Sequence, residues 1–324
     1  MMLTARQPFP ALSADNLLSQ GAAGQVFAIN KNVVFKCPIL FEVENLPLDA
    51  KQEMEQNIDH VENEKRIYSM LNSHPHPYLL HGILCVPEGI FMPRLETTLA
   101  TRLASSTPCS DVQERWIQQL VSAAAWLERL GYVHGDLRPE NILVDRQDDI
   151  RVVDFDATVR TGSDLRLVTL PFCKVDKNFE PPVAGPESEQ FSLGSCIYNI
   201  RFGFPPFSDL GLDSPVWRQK LIQKDFPSTT NDIYGPVIQD CWHGVFPSIR
   251  CLETEIINLT GVRLISLSIP PRHRLWLSLA ECQEYVAIQR LRLGDSVVEK
   301  IQLRCRVIVW VIIRAGLSFM QRYW

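Results

Sequence analysis

One short stretch of this chain constrains its fold and function more than any other. His134, Asp136 and Asn141 lie within eight residues, and Asp154 follows thirteen residues after Asn141. Apolar runs typical of short strands separate and flank them. A lone aspartate or asparagine is usually structural, but this ordered set predicts one site on loops between strands. Carboxylate and amide oxygens at such positions suit proton transfer and the binding of a hard cation.

The composition limits the class of protein. The chain has 324 residues, of which 46% are hydrophobic and 21% charged, so we expect a globular protein of two domains or one bilobal domain. Nine scattered cysteines without a C-x-x-C pair predict a reducing compartment and no disulfide framework. We see no signal peptide, and Arg314 interrupts the longest apolar run. We therefore expect an intracellular, cytoplasmic protein without a membrane span.

Local patterns predict the main elements. Two glycines and a turn within 19–36 predict three antiparallel strands. The segment 49–70 predicts a helix with one apolar face, and 111–130 predicts the clearest helix, capped by a capping box that starts at Ser110. Residues 191–202 are apolar on nearly all sides, which predicts a buried helix.

The polar set resembles the catalytic loop and the metal-binding D-F-G motif of the eukaryotic protein-kinase-like family. The resemblance covers roughly residues 15–255. The sequences of these motifs most resemble those of a divergent kinase-like group of filamentous fungi. The segments that carry it are S-Q-G-A-A-G-Q-V at 19–26, V-V-F-K at 33–36, N-E-K-R-I at 63–67, Y-V-H-G-D-L-R-P-E-N-I-L-V-D at 132–145, V-V-D-F-D at 152–156, E-Q-F-S-L-G-S-C-I-Y at 189–198 and G-F-P-P-F at 203–207.

The resemblance implies an α+β, bilobal protein-kinase-like fold over residues 15–257. The small lobe, 15–92, is expected to be mainly antiparallel sheet with one helix, and the large lobe, 93–257, mainly helical. The implied activity is phosphoryl transfer from ATP, with Mg²⁺, to a serine or threonine hydroxyl of an unknown protein substrate. ATP and Mg²⁺ are expected between the lobes.

The resemblance also implies a role for each site residue. Asp136 would accept the proton of the attacking hydroxyl, and Arg138 would contact the transferred phosphate. Asn141 and Asp154 would bind Mg²⁺.

The nucleotide itself is expected to contact a second group of residues. Lys36 would bind the α- and β-phosphates and pair with Glu64. The remaining ATP-binding residues implied by the resemblance are Gly21, Gly24, Val26, Val34, Phe91, Met92 and Leu143.

The chain departs from the family pattern at several positions. Gly135 replaces the arginine of H-R-D, from which we predict an enzyme that is not activated by phosphorylation of its activation segment. Asp156 replaces the glycine of D-F-G, which predicts restricted switching of this segment. Glu189 replaces the aspartate that anchors the catalytic loop. The activation segment, 157–185, is short, and this weakens the expected platform for a protein substrate.

Three other function classes stay open at this point. A pseudokinase or scaffold module would not need the polar set, which this chain retains. A small-molecule phosphotransferase of the aminoglycoside or choline kinase kind shares H-G-D and D-F-D, but lacks the helix motifs at 63–67 and 189–198. A nucleic-acid or membrane binder is disfavoured by the acidic body, so we expect no nucleic-acid partner.

The C-terminal part differs from the rest in charge. Residues 1–257 carry a net charge of -11, whereas residues 258–324 carry +6. This basic tail matches no part of the resemblance, and its structure is left uncertain. It could be a divergent final helix pair, a partner-binding arm or a segment from a misread gene boundary.

Overall fold

A computed structural model of the protein describes residues 6–42, 47–211, 215–261 and 272–293. These residues form ten β-strands and eight α-helices. In chain order they are β1 (Leu17–Gln20), β2 (Gly24–Ala28), β3 (Val33–Pro38), α1 (Leu48–Ser73), β4 (Leu84–Val86), β5 (Gly89–Pro93), β6 (Thr97–Thr98), α2 (Leu99–Ser105), α3 (Ser110–Arg129), β7 (Tyr132–Val133), β8 (Ile142–Val144), β9 (Ile150–Val152), β10 (Val159–Arg160), α4 (Pro186–Phe202), α5 (Pro215–Gln223), α6 (Gly235–His243), α7 (Ile249–Thr260) and α8 (Arg272–Leu293).

The described residues divide into two compact units. The first comprises the residues before 62, residues 82–94 and helix α8. The second comprises residues 62–81 and 95–261. The first unit contains the five-stranded antiparallel sheet and the second contains most of the helices. The predicted α+β kinase-like fold class is therefore confirmed.

The sheet of the first unit has two different faces. Its strands are ordered β1-β2-β3-β5-β4, and every neighbouring pair is antiparallel. Val26 pairs with Lys36 and Val34 pairs with Met92. Because paired residues and residues two apart on one strand share a face, these four side chains lie on one face.

The opposite face of this sheet is covered by helix α8. Phe35 and Phe91 lie on this face with their ring centroids 4.6 Å apart. Phe9 from the N-terminal segment and Val286 from α8 belong to the same buried cluster. The Arg290 guanidinium also forms a bidentate ion pair with the carboxylate of Glu88 in the β4–β5 turn, at 2.8 and 3.0 Å. Part of the basic C-terminal segment thus forms a helix with a buried apolar side.

The rest of that segment lies outside the described residues. This holds for residues 262–271 and 294–324, which include the apolar run 307–313. For these residues the three interpretations from the sequence, a final helix pair, a partner-binding arm or a misread gene boundary, all stay open.

The second unit is built around helix α4. Nearly all of its side chains from Ser188 to Ile200 are buried, as the sequence predicted for 191–202, and it packs against α3, α6 and α7. Helix α3 was predicted well, but its capping box was not. Cys109 is the N-cap residue and makes no side-chain cap bond, whereas Ser110 donates its hydroxyl to Glu114 within the first turn. Among the described residues, no helix is long and apolar enough to cross a membrane.

Candidate active site

The loop between β7 and β8 holds the predicted proton acceptor. Asp136 is 7% exposed, and its Oδ2 accepts hydrogen bonds from Asn141 Nδ2 at 2.7 Å and from Arg138 Nε at 3.1 Å. Asn141 Nδ2 also donates to the backbone oxygen of Asp136 at 2.9 Å. The amide nitrogen of Asn141 is therefore turned towards the aspartate, which leaves its side-chain oxygen for another ligand. The structure brings these three predicted residues together.

His134 fixes the start of the same loop. Its ring is fully buried, Nδ1 accepts from the backbone N–H of Asp136 at 3.3 Å, and Nε2 lies 3.0 Å from the carbonyl oxygen of Val153. A backbone N–H can only donate and a carbonyl can only accept, so the proton must be on Nε2. The neutral ring thereby links the catalytic loop to the residue that precedes Asp154.

Glu189, in the first turn of α4, anchors the backbone of this loop. Its two carboxylate oxygens accept from the N–H groups of His134, at 3.0 Å, and Gly135, at 3.4 Å. Burial raises the pKa of this carboxyl, while the two N–H donors act in the opposite direction. Glutamate has one methylene more than the aspartate of the family pattern, and at position 189 it still accepts hydrogen bonds from the backbone of the catalytic loop.

Gly135 has no room for a side chain. Its φ is +81°, and a Cβ placed there would lie 2.7 Å from the carbonyl oxygen of Ala157. Both the left-handed backbone and the close approach require glycine. The residue that replaces the family arginine is therefore fixed by the segment packed against it.

Asp154 and the turn after it have a constrained backbone. Asp154 adopts φ 66° and ψ 68°, a left-handed conformation, and a 3₁₀ turn follows at Phe155–Ala157. Phe155 is fully buried between the rings of Tyr68 and His134. Glu64, which is also fully buried, accepts from the backbone N–H of Phe155 at 3.4 Å. The predicted helix glutamate is thus in contact with the predicted metal-binding segment.

Sequence reasoning missed Asn63, which binds the same segment. Its Nδ2 donates to the carbonyl oxygens of Asp156, at 3.0 Å, and Thr158, at 2.8 Å. The Thr158 hydroxyl in turn donates to the carbonyl oxygen of His134 at 3.2 Å. The only signal in the sequence was its place beside Glu64.

In the first unit, the predicted nucleotide residues other than Phe91 lie on one sheet face and in the adjoining turn. The N–H of Gly21 donates to the carbonyl oxygen of Gly24 at 2.9 Å, which closes the β1–β2 turn. A Cβ on Gly24 would lie 3.2 Å from Lys36 Cε. Met92 shares the face of Lys36, but the side chain of Phe91 points to the opposite face, into the cluster under α8.

The predicted site residues are thus distributed over both units. Those of the first unit are Gly21, Gly24, Val26, Val34, Lys36, Phe91 and Met92. Those of the second unit are Glu64, Asp136, Arg138, Asn141, Leu143 and Asp154. Across the described ranges, no group of three or more His, Cys, Asp or Glu side chains could hold a metal ion.

The activation segment is closed by bonds between its two ends. The N–H of Gly162 donates to Ala184 at 2.8 Å, and the N–H of Ala184 donates to Ser163 at 2.9 Å. Near its middle, Lys174 Nζ lies 2.6 Å from a carboxylate oxygen of Glu187. The Lys174 ammonium thus ties the activation segment to the first turn of α4.

Comparisons with known proteins agree with this geometry. Residues 13–232 match the family model described as protein kinase domain. The chain is 30% identical over 185 residues to a probable serine/threonine-protein kinase KIN1 homolog of Encephalitozoon cuniculi, covering 54% of this chain and 32% of that protein. It is 28% identical over 243 residues to human cGMP-dependent protein kinase 2, covering 68% and 29%.

A third relative is maternal embryonic leucine zipper kinase of Xenopus tropicalis, 30% identical over 151 residues. That alignment covers 42% of this chain and 22% of the relative. The matched region thus spans about a third or less of each of these relatives. The family model, in contrast, spans more than half of this chain and includes the whole loop from His134 to Asp154, so the chain belongs to the protein kinase domain family.

Proposed function

We propose that this protein transfers the γ-phosphoryl group of ATP, with Mg²⁺, to a serine or threonine hydroxyl of a protein. The observation that carries the proposal is the bonded group of Asp136, Arg138 and Asn141 within the matched kinase domain. Phosphoryl transfer needs positioning and charge neutralisation more than covalent work by the protein. A buried carboxylate held from two sides suits the acceptance of a proton from the attacking hydroxyl.

The residues present fit a magnesium ion. Mg²⁺ prefers hard oxygen ligands, and Asn141 and Asp154 offer an amide oxygen and a carboxylate. When bound, the ion would neutralise charge on the phosphates. We propose that Asn141 and Asp154 hold it, and that Arg138 orients Asp136 in addition to contacting the transferred phosphate.

The lysine-bearing face of the first unit fits the nucleotide. We assign Lys36 to the α- and β-phosphates, and the backbone of the turn at Gly21 and Gly24 to covering them. Val26, Val34 and Met92 share the face of Lys36 and offer apolar contacts to adenine. We exclude Phe91 from this set because its side chain is fully buried on the other face. The pairing of Lys36 with Glu64, and the contact of Leu143 with adenine, stay predictions from the sequence.

The compartment is part of the same proposal. The eight cysteines within the described residues are all free thiols, and five of them are buried. Thiols in this state are expected where the surroundings are reducing. We therefore propose that the protein works inside the cell.

An assay with labelled ATP and the full chain tests the proposal. Wild-type protein is incubated with Mg²⁺ and mixed Ser/Thr protein substrates, and in parallel with aminoglycosides and choline. We expect transfer to protein, and at least a hundredfold lower rate in Asp136→Asn. The matched control Asp111→Asn, an exposed aspartate at the start of α3, should keep the wild-type rate.

Each other result identifies a rival. Transfer only to a small molecule would establish the small-molecule phosphotransferase. A pseudokinase would show thermal stabilisation by Mg-ATP, weakened in Lys36→Ala, without transfer to any acceptor. If Mg-ATP gives no thermal stabilisation and no transfer is detected, the proposal that the protein binds ATP is rejected.

A further inference from the structure

The side-chain amide of Asn63 makes two hydrogen bonds, which use both hydrogens of its nitrogen. The side chain is 9% exposed, and Nδ2 carries two hydrogens. One goes to the carbonyl oxygen of Asp156 and the other to that of Thr158. If that segment moved, both buried N–H donors would lose their acceptors, which costs free energy. The two bonds therefore hold the segment in one arrangement.

The segment it holds follows the proposed metal ligand. Asp154 is in the left-handed region, which is costly for a residue other than glycine and persists only where the surroundings fix it. Glu64, the next residue on α1, accepts from the N–H of Phe155. Two consecutive residues of one helix thus bind the backbone at three points within four residues after Asp154.

The held segment also supports the catalytic loop. The hydroxyl of Thr158 donates to the carbonyl oxygen of His134, and the carbonyl of Ala157 closes the space over Gly135. A displaced segment would therefore disturb the loop that carries Asp136 as well as Asp154. None of these bonds involves a group that must be phosphorylated to form it.

On the basis of the proposed function, we infer that Asn63 is a positioning residue. It holds residues 154–158 in the arrangement that lets Asp154 bind metal, and it does so without phosphorylation of the activation segment. Gly135 stands where the family arginine would bind a phosphate on the activation segment, so the neutral amide of Asn63 holds the segment by hydrogen bonds that need no phosphate.

The test compares two buried asparagines of the same helix. Asn57 is 4% exposed and donates to the carbonyl oxygen of Ile39 at 3.1 Å, and both residues belong to the first unit. Asn63→Asp keeps the shape of the side chain but places an acceptor opposite two carbonyl oxygens, and Asn63→Ala removes the bonds without repulsion. Asn57→Ala is the matched control for the loss of a buried amide.

We expect Asn63→Ala to lower kcat by up to about 30-fold. The loss of two ordinary hydrogen bonds shifts the equilibrium between the held and the displaced segment by about 2 kcal/mol, which sets this upper limit. KM for ATP should change less than threefold. The Mg²⁺ concentration for half-maximal activity should rise, and excess Mg²⁺ should restore part of the rate. Asn57→Ala should lose comparable thermal stability yet keep kcat and the Mg²⁺ dependence.

The inference is overturned if the two alanine variants lose kcat alike, or if the Mg²⁺ dependence of Asn63→Ala is that of the wild type. It is also overturned if phosphatase treatment of the wild type abolishes activity. Hydrogen exchange of residues 154–160 gives an independent reading, because protection there should fall in Asn63→Ala and not in Asn57→Ala. A wild type without any transfer would reject the proposed function, while the exchange comparison would still decide whether Asn63 holds the segment.

Discussion

Adding a single methyl group at Gly135 should test how the catalytic loop and the segment after Asp154 fit together. Gly131 and Gly135 both have φ +81°, but a Cβ at Gly131 would meet nothing within 4 Å. At Gly135 it would lie 2.7 Å from the carbonyl oxygen of Ala157. The two alanine variants therefore share the backbone strain and differ in the steric contact.

The magnitudes follow from these geometries. Alanine in the left-handed region costs about 1–2 kcal/mol, and the smaller freedom of its unfolded chain returns about 0.4–1 kcal/mol. We thus expect Gly131→Ala to destabilise by about 1 kcal/mol. At Gly135 the Cβ and the carbonyl oxygen must separate by about 0.7 Å to reach an ordinary contact of 3.4 Å. Overpacking of this kind adds about 1–3 kcal/mol.

The assay is urea unfolding of both variants, with phosphoryl transfer measured on the same preparations. Gly135→Ala should be less stable than Gly131→Ala by about 1–3 kcal/mol and should lose most of its activity, because Ala157 and the catalytic loop must move apart. Equal stability and equal activity of the two variants would refute the reasoning.

Two further predictions concern other parts of the chain. Val286→Asp in α8 should lower the stability of the first unit by at least about 3 kcal/mol in thermal melts, because a charge would replace a buried apolar side chain. The control Leu293→Asp, at a position that is 52% exposed, should have little effect in the same melts. Burial, with smaller effects of His81 and Arg129, lowers the pKa of His76 from 6.5 to about 4. The unfolded chain thus binds a proton that the folded one does not, so stability should fall as the pH drops from 6.5 towards 4, and His76→Phe should flatten this part of the profile.

The catalytic loop could be predicted because its information is local. Asp136 and Asn141 are five residues apart, and their hydrogen bonds form within one turn of chain between two strands. The same is true of the turn at Gly21 and Gly24, which is closed by a hydrogen bond between two residues three positions apart. Such spacing can be recognised in the sequence without knowledge of the rest of the fold.

The contributions that were missed depend on contacts distant in sequence. Asn63 meets its partners more than ninety residues along the chain, and α8 packs on strands that end well over a hundred residues before it. An asparagine inside a helix has no pattern that distinguishes a surface amide from a buried one. The orientation of Phe91 required the strand register, because a shift of one residue exchanges the two faces of the sheet.

The missing arginine of the catalytic loop has a physical cause in the neighbouring segment. The carbonyl of Ala157 approaches Gly135 because residues 155–158 fold tightly against the loop, with Thr158 bonded to His134. An arginine at 135 would need a right-handed or extended backbone and would displace that carbonyl. Restoring the family residue alone would therefore disrupt the site instead of adding phosphate control. Loss of the arginine and tight holding of the segment are thus two aspects of one packing arrangement.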